Sequence, residues 1–275
     1  MDVKNLLKKY RFLPSKRLGQ NFLVNKGVLK KIIEASNLSE NDTILEIGPG
    51  IGNLTLELAK IVKKVIAVEK DITLTRILND ELRIKNVKNV EVIQEDILKI
   101  QHTKYQILNT KYKVVANLPY YITSPVIRKF LEIENPPKEM ILMVQKEVAQ
   151  RICSSPPDMS LLAVSVQFYA KPEIISYVSK NSFWPVPKVD SAILRIAPLI
   201  NTDKRLIDTD LFFKIVKAGF SQPRKQLINN LSRGLKMKKE EIKSWLLENK
   251  IQPEQRAETL TIEDWKNLTK SIKIK

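Results

Sequence analysis

A single cysteine, Cys153, and a single histidine, His102, are all that the 275 residues contain of either type. One cysteine cannot close an internal disulfide, and neither a cysteine cluster nor a His-rich centre can hold a metal, so no metal site is expected. A His-dependent catalytic triad is equally disfavoured, and His102, in a polar segment after an expected strand, reads as a solvated loop residue. No run of 18 apolar residues occurs, and the basic N-terminus lacks an apolar h-region. A soluble, unexported, cytoplasmic protein is therefore expected, with no membrane partner. Glycine is scarce too, at seven residues, yet three of them fall in Gly48-Pro49-Gly50-Ile51-Gly52. Against an ordinary usage of about 7%, that clustering marks a place where backbone turns sharply or meets a ligand closely.

Acidic residues are missing from one stretch and nearly so from another. Residues 1–31 hold nine Lys or Arg (Lys4, Lys8, Lys9, Arg11, Lys16, Arg17, Lys26, Lys30, Lys31) against Asp2 alone, and residues 211–239 hold eight (Lys214, Lys217, Arg224, Lys225, Arg233, Lys236, Lys238, Lys239) against none. Nearly all of the net charge of +17 sits in these two blocks. A charge run is usually a solvated face, but two such blocks around a nearly neutral body suggest a polyanion footprint, with nucleic acid as the partner. Neither block carries the broad apolar face of an interfacial helix.

Short β-branched runs alternate with helical patterns from residue 43 onward. Strands are expected over Thr43 to Ile47, Lys64 to Val68, Val90 to Ile93, Tyr112 to Ala116 and Met140 to Val144, each followed by a helix, which implies a parallel sheet covered on both faces. Two more, near Glu173 to Val178 and Ala192 to Ile196, are joined by a Pro-containing loop and should form an antiparallel hairpin at the sheet edge. After Pro198 the pattern is helical only. The expected domains are 1–199, α/β, and 200–275, a smaller all-helical one.

The Gly-rich turn follows the strand Ile44-Leu45-Glu46-Ile47 and precedes a helix, a place suited to close backbone approach by a ligand. Asn53 stands where a dinucleotide fingerprint has its third glycine, so pyrophosphate binding is disfavoured. Glu69 ends the next strand, twenty-one residues beyond Gly48, the spacing at which a carboxylate meets both hydroxyls of an adenosine ribose. Asp96 ends the third strand, where it can accept from an adenine amino group while a neighbouring N–H meets the ring. Each acid alone is more often a helix cap. Together they line the carboxyl edge of one parallel sheet, where ligands bind in open α/β folds.

Asn117-Leu118-Pro119-Tyr120, after the apolar run Val114-Val115-Ala116, suits methylation of an exocyclic amine on a planar base. The Asn117 carboxamide oxygen and the Leu118 carbonyl can each accept one amine hydrogen, favouring a pyramidal nitrogen with its lone pair aimed at a methyl donor. Pro119 stiffens the turn and Tyr120 offers a ring on which the base can stack. Asn-x-Pro is also an ordinary turn after a strand. An adenosine cofactor without pyrophosphate beside a base-amine motif points to S-adenosylmethionine.

The combination Leu18-Gly19-Gln20-Asn21-Phe22-Leu23, Glu46-Ile47-Gly48-Pro49-Gly50, Glu69, Asp96, Asn117-Leu118-Pro119-Tyr120-Tyr121, Phe183 to Ser191 and Arg256-Ala257-Glu258 resembles the rRNA adenine dimethyltransferases, specifically the KsgA (RsmA) branch. The resemblance runs from about residue 10 to 270. It implies a Rossmann-like class I methyltransferase domain, with a mixed seven-stranded sheet whose last hairpin is antiparallel, and a helical rRNA-recognition domain. It implies dimethylation of two adjacent adenosines near the 3′ end of 16S rRNA, within an immature small ribosomal subunit, by a monomer. Cofactor contacts are implied from Asn21, Leu23, Gly48, Glu69, Asp96 and Asn117, to which Gly50, Lys70 and Ile97 are added as neighbours. Phe183 is placed across the target base from Tyr120, and Arg17, Arg224, Lys225 and Arg233 are assigned to RNA; core packing at a hairpin loop is the alternative for Phe183 and Trp184, with Trp184 the stronger candidate of the two for simple burial. The family's Gln-Arg-Arg-Lys reads Gln222-Pro223-Arg224-Lys225 here, losing one cation, and its Tyr-Gly before the sixth strand reads Met159-Ser160. Competing readings are an Erm-type enzyme acting on large-subunit rRNA, a DNA adenine methyltransferase, which would usually carry Asp or Asn-Pro-Pro-Tyr, and a ribosome-assembly factor whose methylation is incidental.

Overall fold

The computed structural model describes residues 3–15, 18–100, 111–199 and 207–272. Arg17, Lys16 and His102 therefore lie outside the described residues. Seven strands form one sheet in the order β4-β3-β2-β5-β6-β9-β7. These are β2 (Thr43–Ile47), β3 (Lys64–Glu69), β4 (Val90–Gln94), β5 (Lys113–Asn117), β6 (Met140–Gln145), β7 (Ala170–Val178) and β9 (Ser191–Pro198). β2 to β6 pair in parallel, and β9 runs antiparallel to β6, so the sheet is mixed with a reversed edge hairpin as the periodicity implies. The five parallel strands begin and end within two residues of the expected limits, because buried β-branched runs end where polar residues begin.

Helices α2 (Lys26–Ala35), α3 (Asn53–Ala59), α4 (Ile72–Ile84) and α5 (Thr123–Glu132) follow, each starting where local chemistry allows. Asn25 caps α2 by accepting from the Gly27 and Val28 N–H groups, and Asp71 caps α4 in the same way. Gly52 caps α3 at φ 88°, where a Cβ would come within 2.5 Å of Leu78 Cδ1, so only glycine fits. The helix expected after β4 does not form over residues 95–100, and residues 101–110 lie outside the described ones. The order reverses between β2 and β5, which opens a crevice at their carboxyl ends.

Two features lacked a sequence signal. A two-residue ribbon pairs β1 (Phe22–Leu23) with β8 (Phe183–Trp184), tying the N-terminal segment to a loop some 160 residues away. Helix α1 (Val3–Lys9) buries Val3, Leu6 and Leu7 in a cluster with Phe22, Ile51, Leu74 and Ile77. The N-terminal basic block is thus partly structural: Lys9 donates to the buried Glu81 carboxylate at 3.1 Å, and Tyr10 donates to the same oxygen.

By packing the chain divides into Met1–Ala149 with Pro172–Pro198, and Gln150–Lys171 with Leu199–Lys275. The second unit thus takes in Gln150–Lys171 as well as the segment after Pro198, which differs from a boundary at 199 alone. The reason is aromatic packing: Phe168 lies 4.2 Å from Phe212 between ring centroids, and Tyr169 stacks on Phe213. Within this unit α8 (Thr209–Gly219) and α9 (Leu227–Leu235) approach so closely that a Cβ on Gly234 would lie 2.5 Å from Ala218 Cβ. Helices α10 (Lys239–Glu248) and α11 (Ile262–Ser271) complete it, together with α7 (Leu161–Gln167), while α6 (Lys146–Ile152) has its first residues in the other unit.

Candidate active site

A cavity opens at the carboxyl edge of the parallel strands, lined by the segment 18–23, the Gly-rich turn, Glu69 to Asp71, Glu95 to Leu98 and Asn117 to Ile122. Asn21, Leu23, Gly48, Gly50, Glu69, Lys70, Asp96, Ile97, Asn117, Leu118, Pro119 and Tyr120 are all brought together there. Gly48 and Gly50 have φ of 66° and 59°, the left-handed region in which a side chain is strained. A Cβ on Gly50 would also meet Phe22 Cε1 at 3.0 Å.

Glu69 is buried, and both of its oxygens are engaged: Oε2 accepts from the Gly50 N–H at 3.1 Å and Oε1 from the Asp71 N–H at 2.8 Å. Burial outweighs those bonds and pushes its carboxyl above the usual range. The carboxylate's remaining lone pairs are available to hydroxyl donors. At Asp96 burial acts upward, but the Lys70 ammonium at 2.9 Å and the Leu98 N–H at 3.0 Å prevail and hold the group below the usual carboxylate range. Lys70 thus reaches the site through Asp96.

On the other side, Asn117 Nδ2 donates to the Asn21 carbonyl at 3.2 Å, which leaves Oδ1 as the carboxamide atom for a second partner. Leu118 N–H donates to Met143 O, fixing the residue after β5 to β6. The Ile122 N–H donates to Pro119 O, closing the turn. Pro119 abuts the Gly-rich turn, since a Cβ on Gly48 would sit 3.5 Å from Pro119 Cδ. The Tyr120 hydroxyl hydrogen-bonds Ser191 Oγ at 2.8 Å, and burial raises it above the usual phenol value, so it is protonated at neutral pH.

Phe183 is placed differently from the expectation. It is 2% exposed, paired with Leu23 across the β1–β8 ribbon, and packed in the core with Val178 and Ile193, so it does not line the cavity beside Tyr120. Trp184 is the more exposed of the two, against the reading that it is the buried one, because the ribbon turns Phe183 inward and Trp184 toward Phe22. In the helical unit Arg224, Lys225 and Arg233 are exposed and make no ion pair among the described residues. Arg233 lies on α9, while the loop that carries Arg224 and Lys225 is held by buried Asn230, whose Nδ2 donates to Gly219 O and Gln222 O.

Two cavity residues were missed. Glu46 is 1% exposed, and burial, aided by the Glu69 carboxylate, raises it to about 8. The Thr55 hydroxyl opposes this but falls short of hydrogen-bond geometry, leaving Glu46 Oε2 and Thr55 Oγ1 unpartnered among the described residues. Asn53 gives Nδ2 to Leu23 O at 2.8 Å and keeps a buried, unpartnered Oδ1. An acid inside the otherwise apolar strand Ile44-Leu45-Glu46-Ile47 was the available signal, since a carboxylate is rarely buried there without a partner to meet.

A Rossmann-like sheet with a Gly-rich turn, a buried acid at the exit of the next strand and this Asn-Leu-Pro-Tyr turn defines an S-adenosylmethionine-dependent methyltransferase. The model of the family described as "Ribosomal RNA adenine dimethylase" matches residues 12–273, and the chain belongs to that family. Among relatives, "Ribosomal RNA small subunit methyltransferase A" of Dehalococcoides mccartyi is 44% identical over 268 residues, covering 97% of this chain and 91% of the relative. The protein of the same name from Clostridioides difficile is 41% identical over 281 residues, covering 99% and 96%. Of solved structures, a dimethyladenosine transferase from Plasmodium falciparum superposes with a TM-score of 0.75 at 30% identity, covering 90% of this chain and 95% of that one. The 23S rRNA methyltransferase ErmE does so with 0.72 at 26%, covering 90% and 98%. The chain is thus an rRNA adenine dimethyltransferase that uses S-adenosylmethionine.

Proposed function

We propose that the protein dimethylates two adjacent adenosines near the 3′ end of 16S rRNA in an immature small ribosomal subunit, acting as a monomer. The relatives at 41 to 44% identity carry small-subunit names, which favours this over the Erm-type reading. The observation that carries the chemistry is the Asn21–Asn117 bond, which supports a fixed Oδ1 for one amine hydrogen while the Leu118 carbonyl takes the other. Held so, the nitrogen turns its lone pair toward the cavity, and positioning supplies most of the rate.

The cavity suits the cofactor by its own chemistry. Glu69 would take the ribose hydroxyls, Asp96 and Ile97 the adenine, with Asn21, Leu23, Gly48 and Gly50 as backbone and wall. The unpartnered acceptors of Glu46 and Asn53 fit a buried ammonium group. S-adenosylmethionine supplies an electrophilic methyl group when bound. Tyr120 stacks the base and, being protonated, acts as no base; the amine becomes acidic only after it has accepted the methyl. Arg224, Lys225, Arg233 and Arg17 hold phosphates. Phe183, from the core, acts only by supporting the Leu23 wall.

Tritiated methyl transfer to undermethylated small subunits, against large-subunit RNA, tests this directly. Label on two adjacent small-subunit adenosines is expected, and label on large-subunit RNA alone would contradict it. An inactive Asn117→Ala protein that still supported ribosome assembly in cells would favour the assembly-factor reading.

A further inference from the structure

The carboxyl edge of the sheet continues past the Asn-Leu-Pro-Tyr turn. Asp190, just before β9, accepts from the Lys180 N–H, just after β7, so β7 ends where β9 begins. Since β9 is antiparallel to β6, β7 ends at the same edge as β2 to β6. Cofactor-side residues occupy that edge from β4 to β2, and Asn117 to Tyr120 occupy it at β5. Beyond them the Tyr120 hydroxyl meets Ser191, Ser191 pairs with Gln145, and the next residue, Lys146, donates its N–H to Asp190 O. Lys146 Nζ lies 5.2 Å from the ring centroid of Tyr177, near the end of β7, within cation–π range. Tyr177 is 53% exposed, although it is a large ring on an edge strand.

A solvent-facing aromatic ring with a cation over it serves no core. It is the composition that binds single-stranded nucleic acid, a ring for the base and a cation for the phosphate. Lys180 and Lys188, both exposed and in no ion pair among the described residues, add positive charge to the same edge, against Glu147 and Asp190.

We propose that Tyr177 and Lys146 form a stacking and phosphate-binding platform for an rRNA nucleotide flanking the target adenosine, holding the strand while the target base occupies the Asn117–Tyr120 turn. This rests on the reading of that turn as the base site. The platform holds substrate without touching the reacting atoms, so it acts on RNA affinity and not on methyl transfer once RNA is bound.

The test is steady-state methylation of undermethylated small subunits by Tyr177→Ala, Tyr177→Phe, Lys146→Met and, as benchmark, Tyr120→Ala, with cofactor affinity measured by calorimetry on each to verify the fold. Tyr177→Ala should raise KM for the subunit about fivefold or more, the lower end of stacking on an aromatic ring, with kcat nearly unchanged. Tyr177→Phe, which keeps the ring, should restore KM. Lys146→Met should lower the salt slope of binding by about 0.7 to 0.9. A Tyr177→Ala KM within twofold of wild type overturns the platform. If Tyr120→Ala is impaired in that same experiment, the reading of the turn stands and the platform alone falls; if Tyr120→Ala is silent too, both fall.

Discussion

Asn117 and Asn21 are 96 positions apart, yet the side chain of the first donates to the main-chain carbonyl of the second at 3.2 Å. That bond joins the N-terminal segment to the end of β5 and engages the carboxamide nitrogen, so that Oδ1 is the atom proposed for a substrate amine. The N-terminal segment therefore orders the Asn117–Tyr120 turn as well as walling the cavity.

Glu46 is expected to make cofactor binding pH-dependent. Raised to about 8, it is protonated at neutral pH in the free protein; a cationic ligand against it favours the carboxylate and releases the proton. Affinity should therefore rise with pH below about 8, by up to tenfold per unit, and level off above it. Calorimetry in buffers of different ionisation enthalpy should detect proton release near pH 7. Glu46→Gln should abolish it, and a flat wild-type profile from pH 6 to 8 would remove Glu46 from the ligand's surroundings.

The same group bears on stability with the opposite sign. Its folded value lies above the ordinary 4.5, so the folded state binds more protons between the two values, and the free protein should lose stability as pH rises from about 5 to 8. Denaturant midpoints should fall over that range for the wild type and fall less for Glu46→Gln, in which the buried Glu69, also raised, still contributes.

Glu69→Gln should weaken cofactor binding by more than tenfold, since hydrogen bonds to a charged acceptor are worth about 1.5 to 3 kcal/mol. The variant keeps the side-chain shape but turns an amide nitrogen toward the Gly50 or Asp71 N–H. Unchanged affinity by calorimetry would show that the ribose lies elsewhere.

Replacing Arg224, Lys225 and Arg233 by neutral residues should flatten the salt dependence of subunit binding by about 0.7 to 0.9 per lost phosphate contact. Cofactor affinity should not change, because these residues belong to the other packing unit. A wild-type salt slope would reduce this block to a solvated face.

Much of this was legible from the residues because the parallel strands are apolar runs with polar ends, and because Gly48, Gly50, Glu69, Asp96 and Asn117 each sit at a strand exit. What escaped were contacts between short segments far apart in sequence. A two-residue ribbon has no periodicity, so nothing announced that Phe183 pairs with Leu23, and core packing, which the structure shows, was only the alternative reading of Phe183. Glu46 was read as part of a turn motif, and only burial shows a carboxylate with no partner. Gln150–Lys171 carries helical patterns that suit either unit, and Phe168 against Phe212 decides between them.

The most direct test of the central claim is single-turnover methyl transfer by Asn117→Ala with bound subunits and saturating cofactor, so that chemistry alone is read. Loss of one preorganised group that orients the reacting atom should slow this step about 10² to 10³-fold, with subunit affinity held within a few-fold of wild type. A rate within a few-fold of wild type in a folded, substrate-bound variant would contradict the assignment of Asn117 as the acceptor that aims the adenine amine.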